Sequence, residues 1–291
     1  MKSIKPGRLF ACTLGCIAVA SCSEGPLDPH GPVAKAERLI LLDATAIMLA
    51  VIVPVILLTF CFAWWFRSGN ARARYRPEWE FSGRIEMIIW AIPALVILFL
   101  GGIAWIGSHD LDPPAPLKSA VPPLEVEVIS VDWRWIFIYP QQGIASIDRL
   151  TVPAGVPLHF RLTSTSVMNS FFVPQLGSQI YTMAGMTTQL NLMADQMGTY
   201  PGLSAQFSGD GFSDMRFDVV AVSPEAFQSW VDSTHTAGGV LDRSTFDQLA
   251  QPSHEHAVVT YGEVMHGLFD SIANGPMRMF HGPMTHSPAQ E

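Results

Sequence analysis

Apolar positions are spread unevenly along the chain: three long runs crowd the first third, and short runs broken by Gly, Pro and Asn fill the rest. The first run, Leu9 to Ala20, follows Lys2, Lys5 and Arg8 and is too short for the roughly 30 Å of a hydrocarbon core. A basic start, an apolar middle and a small-residue end make it a signal-peptide layout. The second run, Ala44 to Phe66, carries no formal charge and closes on Trp64 and Trp65, and the third, Ile85 to Gly107, is flanked by Trp90 and Trp105. At about 1.5 Å of rise per residue each of these two can span a bilayer, with the tryptophans at its interfaces. Pro54 and Pro93 lie inside them, and spanning helices tolerate proline where neighbours satisfy the freed carbonyls.

Beyond the linker Asp112-Pro113-Pro114-Ala115-Pro116 the period changes. Leu124, Val126 and Val128 alternate with Glu125 and Glu127, which predicts a half-buried strand. Further strands are predicted at Trp135 to Tyr139, Arg149 to Val152, Leu158 to Leu162, Phe171 to Val173, Thr187 to Leu192 and Arg216 to Val222. Short strands at this spacing point to a sandwich or barrel. From Ser223 the pattern turns helical, over Pro224 to Val231 and again over Asp242 to Leu249, with Ser223 and Asp242 as caps.

Charge orients the apolar runs. Between the second and third stand Arg67, Arg72, Arg74, Arg76 and Arg84 against only Glu78 and Glu80. The positive-inside rule makes that loop cytoplasmic and places both ends of the mature chain outside. Charged residues are 14% of the 291, well below the roughly 25% of soluble domains, in keeping with a partly lipid-dissolved chain. A net charge of −8 argues against a nucleic-acid partner, whose phosphates need clustered Lys and Arg. All four cysteines, Cys12, Cys16, Cys22 and Cys61, precede residue 108. The external domain therefore has no disulfide and no thiolate to offer a metal, and depends on its own core.

The tetrad Val19-Ala20-Ser21-Cys22 resembles the lipobox of bacterial lipoproteins, which implies lipidation of Cys22 and cleavage before it. An ordinary signal peptide with an incidental cysteine is the alternative, and Cys16, with Thr13 three residues before it, fits a lipobox less well.

Four features together resemble subunit II of the haem–copper respiratory oxidases, in particular of the cytochrome bo-type quinol oxidases. They are the lipobox with two spans, Glu86-Met87-Ile88-Ile89-Trp90-Ala91-Ile92-Pro93, the strand Asp132-Trp133-Arg134-Trp135-Ile136-Phe137-Ile138-Tyr139-Pro140, and Asn169-Ser170-Phe171-Phe172-Val173-Pro174. The resemblance runs from Cys22 to about Met279. The implied fold is membrane α plus all-β: a two-helix transmembrane hairpin, a cupredoxin-like β-barrel or sandwich, and a short helical C-terminal extension. In residues, 1–21 is the signal peptide, 22–43 an external segment, 44–107 the hairpin with its 67–84 loop, and 108–123 the linker. The cupredoxin-like domain is then 124–222, the aromatic-rich helical extension 223–279 and a disordered tail 280–291.

In relatives that take electrons from cytochrome c, this domain holds a two-copper centre on one early His and a Cys-x3-Cys-x3-His-x2-Met loop, with a Glu backbone carbonyl between the cysteines. Bridging thiolates and imidazoles suit both copper oxidation states. Here the early His position is Asn169, and the loop positions are Ser204, Gln206 (the carbonyl), Ser208, Phe212 and Met215 at the same spacing. Only the Met215 thioether survives among the side-chain ligands, so the resemblance implies no copper in this chain. Phe212 is expected to fill part of the space and the serines to hydrogen-bond locally. Haems and copper would belong to subunit I, electrons would come from a quinol oxidised there, and the partners would be subunit I, other oxidase subunits and membrane lipid. The location implied is a bacterial inner membrane, with the lipid anchor and the main domain on the periplasmic side.

Glu86 stands at the cytoplasmic end of the third apolar run, where a carboxylate is costly unless it reaches water or a partner. The resemblance gives it the mouth of the K-pathway for protons; pairing with Arg84 is the alternative. Trp133 and Trp135 are expected to pack between the domain and subunit I. The C-terminal histidines His254, His256, His266, His281 and His286 with Met265, Met277, Met279 and Met284 are irregularly spaced and read as a solvated tail rather than a metal site. Two rival classes remain: a copper-carrying electron-transfer domain and a lipid-anchored scaffolding or assembly protein.

Overall fold

The computed structural model describes residues 25–74, 76–252 and 257–275. Cys22 and most of the C-terminal His and Met residues lie outside the described residues. The chain divides into two units, one being Ala36–Asp112 and the other the residues up to Lys35 together with those from Pro113 onward.

The first unit consists of two apolar helices. Helix α1 spans Pro32–Trp65 and α2 spans Gly83–Asp110; both are long and apolar enough to cross a membrane. Both exceed the predicted apolar runs. Helix α1 begins twelve residues before Ala44, because Pro32 suits a first helical turn and the charged residues that follow it do not interrupt a helix. Residues 32–43 of the external segment are therefore helical. Leu49, Ile56 and Phe60 on α1 and Ile89, Ile97 and Phe99 on α2 are exposed, which leaves apolar surface for lipid or a protein partner. Within this unit the helices approach at Gly107, where an added Cβ would meet Ile40 Cδ1 at 2.7 Å.

The second unit is a two-sheet sandwich. The strands are β1 Leu124–Val131, β2 Arg134–Tyr139, β3 Ile144–Ile147, β4 Arg149–Pro153, β5 Leu158–Ser164 and β6 Asn169–Phe172. They continue with β7 Ile180–Thr182, β8 Thr188–Leu192, β9 Gly198–Ser204, β10 Arg216–Val222, β11 Gly239–Leu241 and β12 Thr260–Val264. One sheet has the order β11-β12-β3-β2-β1-β5-β8 and the other β4-β10-β9-β6-β7. The pairs β1 with β5 and β4 with β10 are parallel, so the chain crosses between non-adjacent strands as well as turning in hairpins.

Strand β2 shows why the larger sheet is covered on both faces. Its odd positions Trp135, Phe137 and Tyr139 enter the core between the sheets, where Phe171 and Phe217 stack at 4.9 Å. Its even positions Ile136 and Ile138 enter a second core with Phe246, Leu268, Phe269 and Ile272. Those four come from the C-terminal helices α4 (Arg243–Leu249) and α5 (Leu268–Ala273), which follow α3 (Pro224–Ala237). Ser223 and Asp242 cap α3 and α4, accepting the backbone N–H of Ala226 at 3.2 Å and of Thr245 at 2.8 Å. The extension is not helical alone: β12 joins the sheet beside β3, at Thr260↔Ser146 and Tyr261↔Ala145. Arg161 of β5 ties α5 down, binding Glu127 at 2.7 Å and Asp270 at 2.8 Å with its guanidinium over the Phe269 ring. Burial raises the Glu127 pKa above its ordinary value, and Arg161 opposes that rise.

Residues near the N-terminus are stitched into this unit. His30 donates its N–H to Gln175 O at 2.8 Å and accepts from Asp195 N–H through its carbonyl at 2.8 Å. Its ring lies 5.3 Å from that of Tyr200, and Lys35 pairs with Asp195. Gly31 is needed there, since a Cβ would stand 2.4 Å from Met193 O.

Candidate functional site

The five positions matched to copper-binding side chains come together on three segments: Asn169 opens β6, Ser204 closes β9, and Ser208, Phe212 and Met215 lie on the loop from β9 to β10. Asn169, Ser204 and Met215 are 1%, 2% and 1% exposed. The Ser204 hydroxyl donates to Asn169 Oδ1 at 3.2 Å and also points at the Gln206 carbonyl, 3.3 Å away. Asn169 Nδ2 donates to Val167 O at 3.3 Å, and the Ser208 hydroxyl faces the Met215 sulfur at 3.9 Å. The local hydrogen bonding expected of the serines is thus present. Phe212 differs: it sits half-buried in the one-turn helix Phe212–Asp214, and its ring meets the exposed Phe207 ring edge-on at 5.6 Å. Part of its ring is therefore turned to the surface against Phe207.

The loop rests on Trp133. That residue holds a left-handed φ of 71°, donates its indole N–H to Ser208 O at 3.2 Å, and lies flat against Gly211. A Cβ at Gly211 would fall 2.2 Å from the indole Cδ2, so only glycine fits. Trp135 is elsewhere. It is fully buried in the central core beside Phe171 at 5.4 Å, which corrects the expectation that it packs toward a partner. Alternation along β2 was the signal for this. Sequence reasoning also missed Asp148, whose left-handed φ of 54° lets its carboxylate accept the Trp135 N–H at 2.7 Å. Burial pushes this carboxyl up to about 6, and the Trp135 hydrogen bond and the Arg134 charge only partly offset that.

The donor set does not fit a pair of coppers. A carboxamide and two neutral hydroxyls replace an imidazole and two thiolates, and a phenyl ring has no lone pair to give. What the arrangement does is hold the loop together. Among the described residues, no three His, Cys, Asp or Glu side chains converge as a metal site elsewhere.

Glu86 lies in the first turn of α2, where the helix dipole favours a carboxylate. It is exposed and, among the described residues, makes no ion pair with Arg84 or any other cation.

Residues 141–222 match the model of the cytochrome c oxidase subunit II periplasmic domain, and residues 235–279 match the COX aromatic-rich motif. The chain is 44% identical over 256 residues to cytochrome bo(3) ubiquinol oxidase subunit 2 of Pseudomonas aeruginosa, covering 88% of this chain and 77% of that one. It is 46% identical over 258 residues to ubiquinol oxidase subunit 2 of Acetobacter aceti, covering 88% and 84%. To the Pseudomonas putida cytochrome bo(3) ubiquinol oxidase subunit 2 it is 42% identical over 284 residues, covering 97% and 90%. The chain belongs to the quinol oxidase subunit 2 family.

Proposed function

We propose that this chain serves a respiratory terminal oxidase that oxidises quinol and reduces oxygen to water, as the subunit that supports subunit I and carries no copper itself. The observation that carries the reading is the Asn169–Ser204–Gln206 hydrogen-bonded cluster with Met215 beside it, at positions where a copper domain would need imidazole and thiolates. Without such a centre, cytochrome c has no electron port on this chain. Electrons then enter as quinol at subunit I, where the haems and the catalytic copper reside. Glu86, solvated at the start of α2, is the entrance through which protons are taken up toward that centre. Helices α1 and α2 span the inner membrane with residues 67–84 inside, Cys22 bears the lipid, and the sandwich is periplasmic.

Purification in mild detergent tests the assembly. This chain should co-purify with a haem-bearing, many-span subunit, and isolation of a lone haem-free chain would overturn the reading.

A further inference from the structure

Between α1 and α2 the chain folds into a concavity of about 560 Å³ whose lining includes Phe66, Arg67, Asn70, Arg74, Arg76 and Trp79. We propose that this pocket binds the phosphate headgroup of an anionic glycerophospholipid, an assignment that rests on the spanning topology proposed above.

The pocket is a built feature. Asn70 Nδ2 donates to Trp65 O at 2.6 Å, satisfying a carbonyl left open at the end of α1, and Asn70 Oδ1 accepts the Arg72 N–H at 3.2 Å. Backbone bonds from Asn70 N–H to Arg67 O at 3.0 Å and from Ala73 N–H to Asn70 O at 3.2 Å fold the loop back on itself. Three arginines then share one concavity that, among the described residues, no acid lines; Glu78 and Glu80, in the same loop, are not part of it. Among the described residues none of the three makes an ion pair, and Arg67 lies over the Trp64 ring at 5.2 Å. The helix dipole and the positive-inside rule account for arginines near a helix C-terminus, but not for three lining one concavity, where a bound anion would offset their shared charge.

The ligand follows from depth and from the rest of the wall. The pocket begins at Phe66, directly after Trp64-Trp65, where interfacial aromatics mark headgroup level. Phe66 and Trp79 give it an apolar side next to the guanidinium groups. A phosphodiester with a glycerol and acyl chains matches both walls, whereas an acidic peptide would use only one. Arginine forks suit phosphate oxygens bidentately.

The test uses the whole oxidase complex, stripped of loose lipid and exposed to phosphatidylglycerol or phosphatidylcholine, with retained lipid counted by native mass spectrometry. Phosphatidylglycerol should be retained in preference. R74Q and R76Q should each weaken that retention by about tenfold, since each removes a charge-assisted arginine–phosphate hydrogen bond. Each single variant leaves four loop arginines to hold the orientation. R72Q removes the same charge from the same loop outside the pocket and should leave retention unchanged. Equal retention of the two lipids, or R72Q acting as strongly as R74Q, would overturn the proposal. Displacement of the lipid by inorganic phosphate alone would assign the pocket to a free anion and overturn the lipid assignment. Labelling of an A71C variant from the periplasmic side would overturn the inner-leaflet placement, while the retention data would still judge binding.

Discussion

The Ser204 hydroxyl donates to the carboxamide oxygen of Asn169 across 3.2 Å, joining the end of β9 to the start of β6 inside the sandwich. Both groups are buried, so removing either leaves the other without water to turn to. Asn169→Ala should destabilise the folded chain by about 1–3 kcal/mol in denaturant unfolding. A loss below the error of the measurement would mean that Ser204 turns fully to the Gln206 carbonyl, and that the cluster is not what holds the loop.

Trp133 and Gly211 make a second joint, between the turn before β2 and the loop before β10. An alanine at Gly211 drives a methyl group into the indole. Gly211→Ala should cost about 1–3 kcal/mol, as overpacking does, and shift the intrinsic tryptophan emission. Wild-type stability with unchanged fluorescence would show that the loop moves aside freely.

Asp148 predicts a pH dependence whose sign is set by its folded pKa, about 6 against an ordinary 3.8. The folded state holds this proton more tightly than the unfolded state. Its contribution therefore becomes more favourable as pH falls from about 6 toward 3.8, and it is a penalty above that window. Asp148→Asn keeps an oxygen for the Trp135 N–H and tolerates the left-handed backbone. Stability measured from pH 7 to 4 should lose this component of its slope in the variant. Parallel wild-type and variant curves would contradict it.

Much of the fold was legible because burial imposes simple periods. The long apolar runs marked the two long helices, alternation marked β1, and Ser223 and Asp242 marked two helix starts. Strand β9 was not legible, since Gly198, Pro201 and Gly202 read as turn residues. Gly202 is there for packing: a Cβ would sit 2.2 Å from the Phe217 ring. Strands β7 and β11, three residues each, are too short for a period to show; β3 and β12 were missed although β6 and β8 of the same lengths were found. Spacing found the positions of the candidate site, but hydrogen-bond partners depend on which strands become neighbours, and β6 meets β9 from more than thirty residues away. Trp135 shows the reverse failure, where a functional expectation displaced an alternation that pointed inward.

Glu86→Gln keeps the size and removes the charge at the start of α2. Steady-state quinol oxidation should slow, by less than the roughly hundredfold at the low end of what a positioned general acid contributes, while haem content stays at the wild-type level. Unchanged turnover would remove the proton-entrance role.

The account as a whole turns on electrons entering as quinol without a copper centre on this chain. The most direct measurement takes the purified complex, counts copper per haem-bearing subunit I, and compares oxidation of a quinol with oxidation of reduced cytochrome c. The predicted result is copper accounted for by subunit I alone, rapid quinol turnover and no turnover with cytochrome c. Two further coppers that travel with this chain, together with cytochrome c oxidation, would contradict it.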